Sequence, residues 1–182
     1  MLRHLPNFLT WLRLAAAPTL ALLLFAGADR AALGVFAFAG LSDAADGFLA
    51  KRFGLATRFG RYLDPAADKL LMFAAFVTLS LLSVTPMWLT ALVIARDLAI
   101  VSGILVARLL VLPICVEPLL IGKASTAAQI TYVALALVLL TLGLHWPVIE
   151  NIAADATAFL TVASWLAYAG VGVRALSRRN AA

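Results

Sequence analysis

Long apolar stretches occupy almost the whole chain and restrict its fold more than any other feature. The hydrocarbon core of a bilayer is about 30 Å thick, so a helix needs about 20 apolar residues to cross it. Six stretches of about this length follow one another, and short turns with Gly, Pro or Asp separate them. They cover residues 7–27, 31–53, 62–83, 87–112, 119–144 and 148–176. The pattern predicts an all-α integral membrane protein with six transmembrane helices in a single domain, residues 1–182.

The composition excludes most other classes of protein. Hydrophobic residues make up 64% of the chain and charged residues 13%, and the mean hydropathy is +1.04, well above that of soluble domains. The single cysteine excludes a scaffold of intrachain disulfides. The net charge is +5, but the basic residues lie at the ends of apolar segments. They therefore indicate membrane topology and contacts with anionic lipid or phosphate, and we expect no nucleic-acid partner.

The distribution of lysine and arginine predicts the orientation in the membrane. Cytoplasmic loops of membrane proteins carry an excess of these residues. With six spans, Arg30 lies on one side, and the opposite side collects Arg3, Lys51, Arg52, Arg58, Arg61, Arg108, Arg174, Arg178 and Arg179. We therefore expect both termini, and the loop after the second helix, to lie in the cytoplasm.

Four of the nine acidic residues fall within 26 positions, as two pairs near helix ends. Asp43 and Asp46 are three residues apart at the end of the second predicted helix, so they share a helix face. Asp64 and Asp68 are four apart at the start of the third and share a face as well. Acids at a membrane helix end are costly unless they are paired with bases or bind a cation.

Carboxylate oxygens favour hard divalent ions such as Mg²⁺, Mn²⁺ or Ca²⁺, and four clustered carboxylates repel one another unless cations neutralise them. Zinc is not expected, because no histidine or cysteine is nearby in the sequence. The pattern predicts a metal site at the cytoplasmic ends of helices 2 and 3; salt bridges with neighbouring bases are the alternative. Lys51, Arg52, Arg58, Arg61 and Lys69 lie close in sequence and suit a phosphate or diphosphate ligand.

The residues from Asp43 to Asp68 resemble the signature of the CDP-alcohol phosphotransferases, D-x2-D-G-x2-A-R-x8-G-x3-D-x3-D. Seven of its eight fixed positions match, with every spacing intact. The exception is Lys51, where the family usually has arginine; lysine keeps the charge but loses the bidentate fork for a phosphate. Residues 6–10 with Arg13 are also similar to the phospholipid-synthesising members of the family.

The resemblance implies an enzyme that transfers the phosphatidyl group of CDP-diacylglycerol to an alcohol and releases CMP. It also implies two divalent cations, Mg²⁺ or Mn²⁺, a homodimer, and a cytoplasmic active site, which we expect in the bacterial inner membrane. By position, Asp43, Asp46 and Asp64 become metal ligands, and Asp68 becomes both a ligand and the catalytic base. The residues implied to line the CDP moiety are Gly47, Ala50, Lys51 and Gly60.

Two branches of the family differ in the acceptor alcohol. CMP-forming cardiolipin synthases use phosphatidylglycerol, and phosphatidylglycerophosphate synthases use glycerol 3-phosphate. Three features are similar to the cardiolipin branch: residues 31–43, the Arg96-Asp97 pair with Arg108 twelve residues after Arg96, and Pro118 five residues before Lys123. Residues 63–69 suit either branch. Phosphatidylglycerol is therefore the favoured acceptor, and glycerol 3-phosphate is the alternative.

Four cations in apolar helices are candidates for binding the acceptor phosphate, because an unpaired charge there is expensive. They are Arg13, Arg96, Arg108 and Lys123. Snorkelling to the interface is the alternative for Arg108, and pairing with Asp97 is the alternative for Arg96. Asp155, an acid inside the sixth span, has no partner that the sequence identifies.

Two other classes of function fit the sequence less well. An ion-coupled transporter predicts acids near the bilayer midplane and internal repeats, whereas these acids cluster at helix ends and no repeat is visible. A noncatalytic assembly factor has no need of four carboxylates at metal-binding spacing.

Overall fold

The computed structural model describes the backbone of residues 5–53, 60–109 and 119–180, and the side chains of residues 11–42, 67–106, 109 and 119–174. Over these residues the chain forms six α-helices. In chain order they are α1 (Leu5–Phe25), α2 (Asp29–Phe53), α3 (Gly60–Leu81), α4 (Met87–Leu109), α5 (Leu120–Leu142) and α6 (Pro147–Asn180). Each corresponds to one predicted apolar stretch, so the all-α prediction is confirmed.

Three of the helices are long and apolar enough to cross a membrane, judged over the described residues alone. These candidate spans are Met87–Val106, Leu120–Leu142 and Pro147–Arg174, and Trp11–Phe25 is a shorter apolar segment. Large apolar side chains such as Leu98, Val101 and Leu105 of α4 are exposed, as a lipid-facing surface requires. Spanning by all six helices, and a single domain over the whole chain, stay predictions.

The turn after α1 shows why the glycine and proline signals predicted the helix ends. Gly27 has a φ of 68°, in the left-handed region that favours glycine. Its N–H donates to the carbonyl of Leu24 at 3.1 Å, and the N–H of Ala28 donates to that of Leu23 at 2.9 Å. These two bonds satisfy carbonyls that the end of the helix leaves without partners. α6 in turn begins at Pro147, whose fixed φ suits a first helical position.

Two groups of helices are each packed around their own core. The first group comprises Met1–Thr85 and Val133–His145. Within it, α1 packs against both α2 and α3, and the buried residues include Leu20, Phe76 and Leu79. The contact between α1 and α3 brings the α3 acids of the motif to the same helix pair as the α1 arginine.

The second group comprises Pro86–Tyr132 and Trp146–Ala182. Within it α4 packs against α6, around buried residues that include Leu89, Val93 and Ala154. This group also buries polar side chains of α4, α5 and α6, which form a polar cluster within the group.

Candidate active site

The four aspartates of the motif lie on two helices, as the spacing predicted. Asp43 and Asp46 belong to α2, while Asp64 and Asp68 belong to α3, so helical geometry places each pair on one face. The side chains of Asp43, Asp46 and Asp64 lie outside the described residues. The same holds for the predicted CDP-lining positions Gly47, Ala50, Lys51 and Gly60.

The donor chemistry of the motif suits hard divalent ions, because all four side chains offer carboxylate oxygens. Among the residues whose side chains are described, His, Cys, Asp and Glu form no group of three or more that could hold a metal ion. The assignment of two metals to the motif stays a prediction.

Asp68, the last aspartate of the motif, forms an ion pair with Arg13. The Nη1 atom of Arg13 in α1 lies 2.8 Å from the Oδ1 atom of Asp68 in α3 and donates a hydrogen bond to it. The arginine side chain is 1% exposed, whereas that of the aspartate is 43% exposed. A charge-assisted hydrogen bond of this length is stronger than one between neutral groups and restricts the orientation of the carboxylate. A buried cation thus holds an acid that solvent and ligands can reach.

Sequence reasoning selected both members of this pair but not their contact. It assigned Arg13 to the acceptor phosphate and Asp68 to metal and proton transfer. A buried guanidinium in an apolar helix requires an anionic partner, and this was the one available signal. The sequence could not identify which acid, because the two residues are 55 positions apart.

Arg96 lies at the centre of a second polar cluster, on α4. Its side chain is buried, and its Nη1 atom donates to Oδ1 of Asp97 at 2.7 Å. Its Nη2 atom donates to Oγ of Ser164 in α6 at 2.6 Å. The guanidinium carbon also lies 6.0 Å from the ring centroid of Tyr168, at the edge of the range for a cation–π contact. The pairing of Arg96 with Asp97, which the sequence offered as an alternative, is confirmed.

The remaining acceptor candidates are placed less completely. Lys123 is exposed in the first turn of α5, and Arg108 lies in the last turn of α4 with its side chain outside the described residues. Asp155 is exposed on α6. An exposed ammonium near a helix start is accessible to an anionic ligand, so the assignment of Lys123 stays open to test.

Sequence reasoning missed the polar face of α6. Thr157, Thr161, Ser164 and Tyr168 follow one another at spacings of four, three and four, so they share one helix face. Thr161 accepts a hydrogen bond of 3.3 Å from Nε2 of Gln129 in α5, while Ser164 binds Arg96 of α4. The spacing of hydroxyls in an otherwise apolar helix was the signal that could have found this face.

Comparison with known proteins identifies the family of the chain. The family model of the CDP-alcohol phosphatidyltransferases matches residues 3–173, nearly the whole chain. The chain belongs to the CDP-alcohol phosphatidyltransferase family. The resemblance in the aspartate motif is thus confirmed, and the chain is a phosphatidyltransferase enzyme of phospholipid synthesis.

Similar proteins come from both acceptor branches. A probable phosphatidylglycerophosphate synthase of Mycobacterium tuberculosis is 36% identical over 178 residues, which cover 94% of this chain and 82% of that protein. A CMP-forming cardiolipin synthase of Homo sapiens is 33% identical over 180 residues, covering 90% of this chain and 60% of that protein. A CMP-forming cardiolipin synthase of Streptomyces coelicolor is 40% identical over 109 residues, which cover 56% of this chain and 51% of that protein.

The family assignment settles the class of reaction and leaves the acceptor open. Members of the family generally use divalent metal ions and are membrane proteins, in agreement with the carboxylate motif and the apolar helices. The assignment also argues against the ion-coupled transporter and the assembly factor.

Proposed function

We propose that the protein synthesises cardiolipin by transferring the phosphatidyl group of CDP-diacylglycerol to a hydroxyl of phosphatidylglycerol, with release of CMP. The observation that carries the transfer chemistry is the ion pair between Arg13 and Asp68, because it involves the motif residue to which proton transfer is assigned. The carboxylate of Asp68 is accessible, and a buried partner restricts its orientation, as a general base requires.

In this proposal Asp68 accepts the proton of the acceptor hydroxyl. The hydroxyl oxygen then bonds to the phosphorus that carries diacylglycerol, the bond between this phosphorus and the oxygen of CMP breaks, and CMP leaves with the electron pair. Asp43, Asp46, Asp64 and Asp68 would hold two divalent cations, Mg²⁺ or Mn²⁺. Bound at these carboxylates, such ions would offset the negative charge that develops on the departing CMP.

The nucleotide end of the donor substrate is assigned to the loop and helix ends of the motif. Gly47, Ala50 and Gly60 would line the CDP moiety without bulky side chains, and Lys51 would supply a positive charge to a phosphate. Lysine binds phosphate as a point charge, so the arginine of the family pattern is not essential for this contact.

The contact of Arg13 with Asp68 supports a positioning role for this arginine at the catalytic base. Direct binding of the acceptor phosphate by Arg13 stays a prediction. For the acceptor we propose Arg96, Arg108 and Lys123. These residues supply positive charge from α4 and α5, and the acceptors of both branches carry a phosphate group.

The charge around Arg96 supports phosphatidylglycerol as the acceptor. Because Asp97 lies 2.7 Å from the guanidinium, the pair presents less than one full positive charge to a ligand. A phosphodiester carries one negative charge, whereas a phosphate monoester carries about −1.5 to −2 near neutral pH. A partly neutralised cation therefore suits the phosphodiester of phosphatidylglycerol better than the monoester of glycerol 3-phosphate.

Glycerol 3-phosphate is the second candidate acceptor. It is favoured by the similarity to the M. tuberculosis protein named as a probable phosphatidylglycerophosphate synthase, which extends over 94% of this chain. The metal ligands, the base and the donor substrate are the same in both cases.

The deciding experiment measures CMP release by the purified protein with Mg²⁺ or Mn²⁺ and CDP-diacylglycerol. Phosphatidylglycerol and glycerol 3-phosphate are supplied in separate reactions, and mass spectrometry identifies the lipid product. Cardiolipin supports the proposal, and phosphatidylglycerophosphate establishes the second candidate. Chelation should abolish CMP release, and added metal should restore it. Full activity in a metal-free preparation would overturn the metal assignment.

We also propose that the protein is a homodimer in the bacterial inner membrane, with both termini and the active site in the cytoplasm. The concentration of lysine and arginine on one side of the predicted spans supports this orientation. The test is labelling, from each side of the membrane, of single cysteines introduced at Arg30 and Arg179 after replacement of Cys115. Labelling of the cysteine at position 179 from the periplasmic side would contradict the proposed orientation.

A further inference from the structure

We infer that Ser164 and Tyr168 of α6, together with Gly122 of α5, position the guanidinium of Arg96 to bind the acceptor phosphate. The inference rests on the proposed function, because that proposal assigns Arg96 to the acceptor. All four residues belong to the second group of helices, Pro86–Tyr132 with Trp146–Ala182. Ser164, Tyr168 and Gly122 are positioning residues, because they act on the acceptor through Arg96.

The guanidinium of Arg96 is held by directional contacts. Asp97 and Ser164 accept hydrogen bonds from its two terminal nitrogens, at 2.7 and 2.6 Å. The whole residue is 4% exposed, and its Nε atom is buried with no hydrogen-bond partner in the part of the chain that the structure describes. A buried donor without a partner is costly. The oxygen of a bound phosphate is an acceptor that would satisfy such a donor.

Tyr168 supports the same guanidinium from the next turn of α6. It follows Ser164 by four residues, so the two side chains share one face of the helix. Its ring centroid lies 6.0 Å from the guanidinium carbon. Two successive turns of α6 therefore act on one cation of α4, one through a hydrogen bond and the other through an aromatic ring.

Gly122 determines where the Tyr168 ring can lie. A Cβ atom added at Gly122 would come within 2.8 Å of the tyrosine Oη atom and 3.0 Å of its Cε2 atom. Real Cβ contacts are essentially never closer than 3.0 Å, so a side chain at this position must displace the ring. Since the ring is the end of a side chain, it can move without unfolding the helix. Because Gly122 has no side chain, the Tyr168 ring can lie in its observed position beside the guanidinium of Arg96.

The test compares KM for phosphatidylglycerol, KM for CDP-diacylglycerol and kcat in variants of the full-length protein. Ser164→Ala should raise KM for the acceptor about tenfold, the effect of losing one hydrogen bond to a charged group, with KM for the donor unchanged. Tyr168→Leu and Gly122→Ala should raise KM for the acceptor by a smaller factor, about two- to fivefold, because they remove or displace an aromatic ring at the edge of contact range. Tyr168→Phe keeps the aromatic ring, so it should raise KM for the acceptor less than Tyr168→Leu does. Gly170→Ala in α6 is the matched control, because a Cβ there meets no atom within 4 Å.

A double variant separates positioning from general damage to the fold. Replacing Tyr168 by Phe removes the Oη atom that an alanine at position 122 would meet at 2.8 Å. Gly122→Ala combined with Tyr168→Phe should therefore recover part of the acceptor affinity that Gly122→Ala loses. Damage to the fold as a whole would raise KM for CDP-diacylglycerol as well, whereas displacement of the Tyr168 ring raises KM for the acceptor alone. Thermal unfolding in detergent identifies any variant that fails to fold, and for such a variant the recovery in the double variant decides.

Arg96→Ala distinguishes failure of this inference from failure of the proposed function. An unchanged acceptor KM in Arg96→Ala would remove Arg96 from the acceptor site and overturn this inference, whereas the proposed function fails only if phosphatidylglycerol is not converted to cardiolipin. A raised KM in Arg96→Ala, with unchanged values in Gly122→Ala, Ser164→Ala and Tyr168→Leu, would overturn the positioning inference alone. A raised acceptor KM in all four variants, with the donor KM unchanged, supports both.

Discussion

Two buried arginines, one in each group of helices, have different partners. Arg13 of α1 contacts an acid on another helix, Asp68 of α3. Arg96 of α4 contacts the acid next to it on its own helix, Asp97, and a hydroxyl of α6. The side chain of Asp68 is 43% exposed and that of Asp97 is 20% exposed. In the first pair the accessible group is the acid, and in the second both members are largely enclosed.

The difference shows that the role of a buried cation depends on its partner. A buried arginine beside an accessible acid orients a group that can react with substrate. A buried arginine whose charge is shared with the acid next to it, and which a hydroxyl of another helix also orients, is suited to bind an anion. We therefore expect changes at the first pair to alter kcat and changes at the second to alter KM for the acceptor.

The largest effect is expected for Asp68→Asn, which keeps the shape of the side chain but removes its capacity to accept a proton. CMP release should fall by about 10²- to 10⁴-fold, the range typical of a general base. Asp155→Asn is the control, because this acid is exposed on α6 and lies outside the motif. Substantial activity in Asp68→Asn would exclude the residue as the base.

A smaller loss is expected for Arg13→Lys, which keeps the charge but not the geometry of the guanidinium. kcat should fall about tenfold or more, because a hydrogen bond to a charged group is lost or weakened, while KM for the acceptor changes little. In the Asp68→Asn background the same substitution should cost much less, since the two residues act as a unit. If acceptor KM rises and kcat is retained, Arg13 binds the acceptor phosphate and the distinction between the two arginines fails.

Replacing Arg96 by lysine tests whether the second buried arginine binds the acceptor. Lysine retains the charge but cannot donate at once toward Asp97, Ser164 and a ligand from one rigid plane. We expect acceptor KM to rise by up to about tenfold, with kcat at saturating acceptor near that of the parent protein. Steady-state kinetics with varied phosphatidylglycerol measure the split. A loss confined to kcat would place Arg96 with the catalytic base.

The smallest effect is expected for Thr161→Val, which removes a buried hydroxyl without changing the shape of the side chain. The hydroxyl accepts a bond of 3.3 Å from Gln129, and such bonds between membrane helices contribute about 0.6 kcal/mol on average. The midpoint temperature of thermal unfolding should fall slightly, and the KM values for donor and acceptor should be unchanged. Thr19→Val is the control, because Thr19 is exposed and its hydroxyl donates to Ala15 within its own helix. A larger fall in the Thr19 variant would contradict this assignment.

The helices and the reaction class were predictable from local features. The length of each apolar stretch, with the turn residues between the stretches, placed every observed helix end within four residues of its predicted position. The spacing of Asp43, Asp46, Asp64 and Asp68 identified the family before any contact was known. Both features can be found in short segments of sequence. A membrane helix needs a run of about 20 apolar residues, and the end of a helix depends on the backbone preferences of single residues.

The partners within the site were not predictable in this way. Arg13 and Asp68 are 55 positions apart, and Arg96 and Ser164 are 68 positions apart. In a soluble helix the apolar stripe shows which face is buried, but in apolar helices the residues facing lipid and those facing other helices are equally hydrophobic. The hydrophobic pattern therefore could not show that the Tyr168 ring lies against Gly122.

Three features could be predicted from the sequence alone: six apolar helices, two pairs of aspartates on two of them, and membership of a phosphatidyltransferase family. The packing of the helices decided that Arg13 contacts Asp68, and that Ser164 and Tyr168 of α6 lie beside Arg96. The physical reason is that helix formation and motif spacing depend on neighbouring residues, whereas the partner of a buried charge depends on which helices pack together.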